Sequence, residues 1–110
     1  MATAYKILGQ LESAATTLET LYTVPAATSA VVSSINICNR TSGSKSVRIA
    51  VRQAGAVIAN KQYIAYDLAI AANDSVALSL GLTLATTDIV TVYASAGSSI
   101  SWNLFGSEIS

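Results

Sequence analysis

The chain has 110 residues, with six basic and six acidic side chains, no histidine and a single cysteine, so its net charge is zero. Hydrophobic residues make up 52% and charged residues 11%, against roughly 25% charged in an average soluble domain. Disorder is excluded, because it needs low hydrophobicity and high net charge, and no field exists to steer the protein towards DNA, RNA or acidic lipid.

The predicted elements are short strands. Tyr5 to Leu11 is the first and Leu18 to Val24 the second, ended by Pro25, which cannot donate to a ladder. Thr16, Thr17, Thr20 and Thr23 favour a strand here, although Leu11, Ala15, Leu18 and Tyr22 also fit one face of a helix. Ala30 to Arg40 follows, with Val31, Ile35 and Ile37 on one face and Val32 and Cys38 on the other. The turn formers Thr41-Ser42-Gly43-Ser44 predict a hairpin into Ser46 to Arg52. In that strand Val47, Ile49 and Val51 point one way while Ser46, Arg48, Ala50 and Arg52 point the other. Ile64, Tyr66, Leu68 and Ile70 alternate next, and a turn at Asn73-Asp74 predicts a second hairpin with Val76, Leu78 and Leu80. Thr86-Thr87-Asp88 leads into Ile89 to Ala94. Ala96-Gly97-Ser98-Ser99 then leads into Ile100, Trp102 and Leu104, a third expected strand pair.

About eight strands with turns every ten residues or so predict an all-β fold, an antiparallel two-sheet β-sandwich of jelly-roll type. It is expected as one domain over residues 1–110. Gly9, Gly55 and Gly81 are placed where bulges or bends would turn corners. Sandwiches expose edge strands, and few charges are present to blunt them, so other subunits are expected at the edges.

Catalytic chemistry finds no footing. Without histidine the usual proton carrier near neutral pH is missing, and no serine sits in a nucleophile elbow. The carboxylates Glu12, Glu19, Asp67, Asp74, Asp88 and Glu108 are dispersed, and those at turns are expected to bind local backbone amides. One cysteine and no histidine do not make a zinc site, no acidic spacing resembles a calcium loop, and no phosphate-binding loop is present. The expectation is therefore a non-enzyme without cofactor or metal. Cys38 reads as a small hydrophobe on a strand, unable to form an intrachain disulfide, which suits a reducing compartment. The triplets Asn39-Arg40-Thr41 and Asn73-Asp74-Ser75 match the glycosylation pattern by accident of composition. The amino terminus does not read as a secretory signal, and no apolar run approaches the eighteen or so residues of a membrane span.

The candidate contact residues are basic and aromatic. Arg48 and Arg52 share a strand face with Lys45 nearby, and planar guanidinium groups suit a protein carboxylate surface; a solvated face is the alternative. Among Tyr5, Tyr22, Tyr63, Tyr66, Tyr93, Trp102 and Phe105, most are expected as core or subunit contacts. Tyr63 and Tyr66 join the candidate partner surface.

The order of Leu21-Tyr22-Thr23-Val24-Pro25, Asn39-Arg40, Arg48 to Gly55, Tyr63 to Asp67, Asn73-Asp74 and Phe105 to Ile109 resembles small virion proteins of tailed bacteriophages, including phages of marine bacteria and cyanobacteria. The resemblance runs from about residue 5 to the end and rests on the order of several weak motifs. It implies a structural component of the particle, made in the host cytoplasm and placed in the virion. The leading expectation is a capsid decoration or cement protein that binds the major capsid protein on the outer head surface. A tail-fibre or baseplate module that binds a host glycan or protein is the alternative. Low charge and abundant small residues suit association with copies of itself, with a homotrimer expected.

Overall fold

In a computed structural model, which describes every residue except Met1 and Leu80, the chain forms nine strands. They are β1 (Thr3–Glu12), β2 (Glu19–Thr23), β3 (Ser29–Asn39), β4 (Lys45–Arg52), β5 (Tyr63–Ile70), β6 (Ser75–Leu78), β7 (Leu82–Leu84), β8 (Ile89–Ala94) and β9 (Ile100–Ile109). Two single 3-10 turns, Gln53–Gly55 and Asn60–Gln62, lie between β4 and β5. One sheet has the order β1-β9-β3-β6, with β7 also on β3; the other is β2-β8-β4-β5. All the strand pairs are antiparallel. The sheets stack face to face as a jelly roll, so the predicted fold class is correct.

The predicted pairings are not. Each of the three expected hairpins joins strands that lie in different sheets: β3 with β4, β5 with β6, and β8 with β9. The turns exist, but they carry the chain over the edge of the sandwich instead of back along the same sheet. Asn39 shows how the first corner is held. It is 1% exposed, and its Nδ2 donates to the carbonyls of Gly43 (2.9 Å), Ile70 (3.1 Å) and Ala71 (3.2 Å). Its Oδ1 accepts from the Thr41 amide at 3.0 Å and the Thr41 hydroxyl at 2.7 Å. One side chain thus ties the end of β3 to the start of β4 and the end of β5, and the glycosylation-like triplet is a structural corner. Replacing Asn39 by alanine removes all five hydrogen bonds from the corner, although the Gly43 and Ile70 carbonyls keep the Thr41 and Ser44 hydroxyls as donors. Since a net hydrogen bond contributes about 1 kcal/mol, urea denaturation should show a loss of about 2 kcal/mol.

The alternating apolar residues fill the space between the sheets. Val32, Ile35 and Ile37 of β3, Val47 and Ile49 of β4, Val90 and Val92 of β8, and Ile100, Trp102 and Leu104 of β9 are fully buried. Bulges change two face assignments. An extra residue, Ser33, sits in β3 opposite β9, so Val32 shares the inner face with Ile35 while Val31 turns outwards at 37% exposed. The expected grouping of Val31 with Ile35 fails for that reason. In β5 the shifts between Val47 and Ala50 of its partner turn Ile64 and Tyr66 outwards, whereas Ile70 stays buried.

Other expectations fare differently. β2 is a strand, as its threonines favoured, and not a helix. Gly9 does lie at a register shift of β1, and Gly55 and Gly81 adopt positive φ of 70° and 58°. Val76 and Leu78 lie in β6, Leu80 falls outside the described residues, and β7 beyond it was not expected at all. β9 continues past Leu104 to Ile109.

An ionic staple joins the sheets at the chain-terminal end. Glu108 of β9 accepts from Lys6 Nζ of β1 at 2.7 Å and from the Tyr22 hydroxyl of β2 at 2.5 Å. The Lys6 hydrogen bond, with the Tyr22 hydroxyl adding to it, holds the Glu108 carboxyl below its ordinary value of 4.5, while burial and then the carboxylate push the Tyr22 hydroxyl well above its ordinary value of 10.0. A depressed carboxyl stabilises the fold above its unfolded value and loses that contribution as pH falls through the folded one. A raised phenol stabilises below about pH 10 and loses its contribution as pH rises further. Thermal melts should therefore fall off below about pH 4.5, and the fall should be shallower in Glu108→Gln.

Candidate partner-binding surface

The outer face of the β2-β8-β4-β5 sheet concentrates the chemistry. Arg48 stands at the middle of β4, directly opposite Tyr93 of β8. On its other side, Val47 pairs with Leu68 and Ile49 with Ala65, so both Tyr66 and Asp67 oppose Arg48 in a bulge. Asp67 takes the left-handed region with φ 53°, a conformation aspartate tolerates better than most residues. The bulge aims two successive side chains at the same neighbour. Arg48 Nε donates to Asp67 Oδ1 at 2.7 Å, and its Cζ lies 4.1 Å from the Tyr66 ring centre and 4.6 Å from that of Tyr93. Tyr63 meets Tyr66 edge to face, with centroids 5.0 Å apart.

The hydrogen bond that Arg48 donates to Asp67 outweighs desolvation and holds the guanidinium above its ordinary value. The group is charged at any working pH. Because Asp67 takes the Nε–H, the terminal amino groups remain as donors at the rim of the aromatic stack. Tyr66 is 58% exposed and Ile64 is 44% exposed beside it. The result is a cluster of rings around one neutralised cation, suited to contact with an apolar surface carrying hydrogen-bond acceptors.

Of the five candidate residues, the fold brings Arg48, Tyr63 and Tyr66 together. Arg52 lies further along β4, where Nε donates to the Ala56 carbonyl at 2.7 Å and Nη2 to that of Gly55 at 3.1 Å, bracing the turn after the strand. Lys45 starts β4 and folds its ammonium back over Gly43, where an added Cβ would lie 3.2 Å from Nζ. Tyr93 and Asp67 belong to the cluster but were not among the candidates. Tyr93 alternates outwards on its strand, which sequence shows; the position of Asp67 depends on the bulge, which sequence does not show.

The remaining aspartates serve turns, as expected. Asp88 is 9% exposed and accepts from the amides of Ala54 and Ala85, both at 2.8 Å. Asp74 accepts from the Ser75 amide at 2.8 Å. Among the described residues no three metal-ligating side chains come together, and no helix is long and apolar enough to cross a membrane.

The opposite sheet has a contrasting outer face. Its outward positions on β1, β9 and β3 carry one charged residue, Glu12, bonded to Arg40 at 2.6 Å. Gln10 and Asn103 bond each other at 2.7 Å, and Tyr5, Ile7, Phe105 and Val31 supply an apolar strip.

No protein-family model and no curated protein sequence matches the chain. A solved structure does: a chain in the structure of infectious bursal disease virus, Gx strain, superposes with a TM-score of 0.52 at 14% identity. The superposition covers 97% of this chain and 32% of that one, so the protein spans about a third of its neighbour's length. The shared feature is the fold, a β-sandwich found in the structure of a virus particle.

Proposed function

We propose that the protein is a structural component of a virion, in which it decorates the capsid and cements contacts between capsomers. The observation that carries this reading is the likeness of nearly the whole chain to a β-sandwich from a virus structure. The resemblance of the motif order to small virion proteins of tailed bacteriophages points the same way and favours the head surface. Composition supports it: a chain with 11% charged residues gains by covering its outer faces in an assembly. In this reading Arg48, Tyr63 and Tyr66, joined by Tyr93 and Asp67, form the centre of the contact with the major capsid protein, with Lys45 and Arg52 flanking it. Copies cluster as a homotrimer, so several modest footprints act together and release of one is rapidly reversed.

Quantitative mass spectrometry of purified virions tests the proposal. Hundreds of copies per particle, reduced at least tenfold when Arg48→Ala protein is added back to stripped shells, support it. A handful of copies would instead favour a tail-located module in which the exposed Tyr66 ring stacks on a host glycan, the reading that the aromatic cluster also suits. Absence from particles would overturn both.

A further inference from the structure

β1 lies at the end of its sheet, paired with β9 on one side only. Ala2 and Ser110 exchange both backbone hydrogen bonds, each 2.9 Å, which fixes the phase of the β1-β9 ladder. By the alternation of antiparallel pairs, Ala4 with Glu108 and Lys6 with Gly106 are the next bonded pairs. Thr3, Tyr5 and Ile7 therefore turn their N–H and C=O groups away from β9, towards the open side. Their side chains are exposed as well, Tyr5 at 87% and Ile7 at 51%. An unpaired strand edge is a template for another strand unless proline, charge or a covering loop blunts it. Residues 3–7 have no proline, and their one charge, Lys6, is half-exposed but neutralised by Glu108 at 2.7 Å.

We propose that two copies pair antiparallel through this edge, about a twofold axis at Tyr5. The hydrogen-bond phase restricts the register. Edge-facing residues must meet edge-facing residues, which allows dyads at Ala4, Tyr5 and Lys6. The dyad at Lys6 sets that ammonium against its twin, and the dyad at Ala4 pairs only Thr3 with Tyr5. The dyad at Tyr5 sets Tyr5 against Tyr5 of the second copy and Thr3 against its Ile7, giving about six backbone hydrogen bonds. A dyad at Ile7 is ruled out because the bulge after Ile7 breaks the alternation. A dyad at Thr3 leaves most of the edge unpaired. In the Tyr5 register each Lys6 faces an alanine, Ala4, and keeps its own Glu108, so no like charges are opposed. The joined sheet carries the strip of Tyr5, Ile7 and Phe105 across the axis. The contact lies on the sheet opposite the Arg48 cluster and does not depend on the capsid reading. It would coexist with a threefold cluster by linking one cluster to the next.

Register-specific crosslinking in a Cys38→Ser background tests the proposal. A bonded antiparallel pair has Cα atoms about 5.5 Å apart, within the range a disulfide spans. On mild oxidation Tyr5→Cys should run as a covalent dimer on a non-reducing gel, and Thr3→Cys alone should not. Mixing Thr3→Cys with Ile7→Cys should restore the dimer. Tyr5→Pro, whose missing N–H is one that β9 does not use, should keep the fold by circular dichroism and abolish concentration-dependent protection of the Thr3 and Ile7 amides in hydrogen exchange. Crosslinking of Tyr5→Cys no faster than that of Ser42→Cys in a distant exposed corner would overturn the proposal. So would unchanged protection in Tyr5→Pro.

Discussion

Gly106→Val is expected to unfold the protein. A Cβ at Gly106 would lie 2.1 Å from the Val31 carbonyl oxygen and 3.0 Å from a Leu8 side-chain carbon. The first obstacle is backbone in the neighbouring central strand, so it cannot rotate away. Relief would require parting β9 from β3 beside the bulges at Leu8 and Ser33 that adapt both flanking strands to this point. Overpacking usually costs about 1–3 kcal/mol; a rigid clash between two central strands belongs above that, at about 4 kcal/mol or more, comparable to the whole stability of a small domain. Gly106→Ala should already be severely destabilised. Gly43→Ala is the matched control, since its Cβ would meet the flexible end of Lys45, and it should change stability by less than about 0.5 kcal/mol. Equilibrium denaturation of the three variants reads the difference.

Trp102→Ala should follow closely, with a loss of about 3–5 kcal/mol. Trp102 is fully buried near the start of β9, between Leu11 of β1 and Ile37 of β3 in register. Its ring is the largest in the core, and its Nε1 donates to the Ser13 hydroxyl, itself 2% exposed. Two effects separate in a pair of variants. Trp102→Phe keeps most of the volume but orphans Ser13, so it should lose about 1–3 kcal/mol; Trp102→Ala adds the cavity. Because Trp102 is the only tryptophan, its fluorescence also reports wild-type unfolding, with emission moving to longer wavelength as water reaches the ring.

These two positions show what a reading of the chain captures. Ile100, Trp102 and Leu104 were placed on one face by simple alternation, and all three are fully buried. Val47 and Ile49 were found the same way. Alternation is local, and within an unbroken strand it suffices. It fails at an inserted residue: one bulge moved Val31 out and Val32 in, and another turned Tyr66 outwards beside Asp67. No residue type announced either event, because neither Ser33 nor Asp67 is a glycine. Pairing was harder still. Turn chemistry at 41–44 and 73–74 showed where the chain reverses but not whether it returns in the same sheet or crosses to the other. That choice depends on distant partners such as Thr3 with Ile109, which no local signal encodes. The contact surface was half legible for the same reason: Arg48 was visible from strand alternation, while the ring stack around it exists only once β5 and β8 flank β4. Gly106 illustrates the limit from the other side. Its glycine has an ordinary strand conformation, and only the approach of Val31 from a neighbouring strand makes it indispensable.

The central claim is that this sandwich completes its burial within a virus particle. Cryo-electron microscopy of intact virions tests it most directly. The account predicts density for a nine-stranded sandwich repeated over the outer surface of the head, with the face bearing Arg48 and Tyr66 against the shell. A shell whose density is fully explained by other chains, with this protein found free in the infected cell, would contradict it.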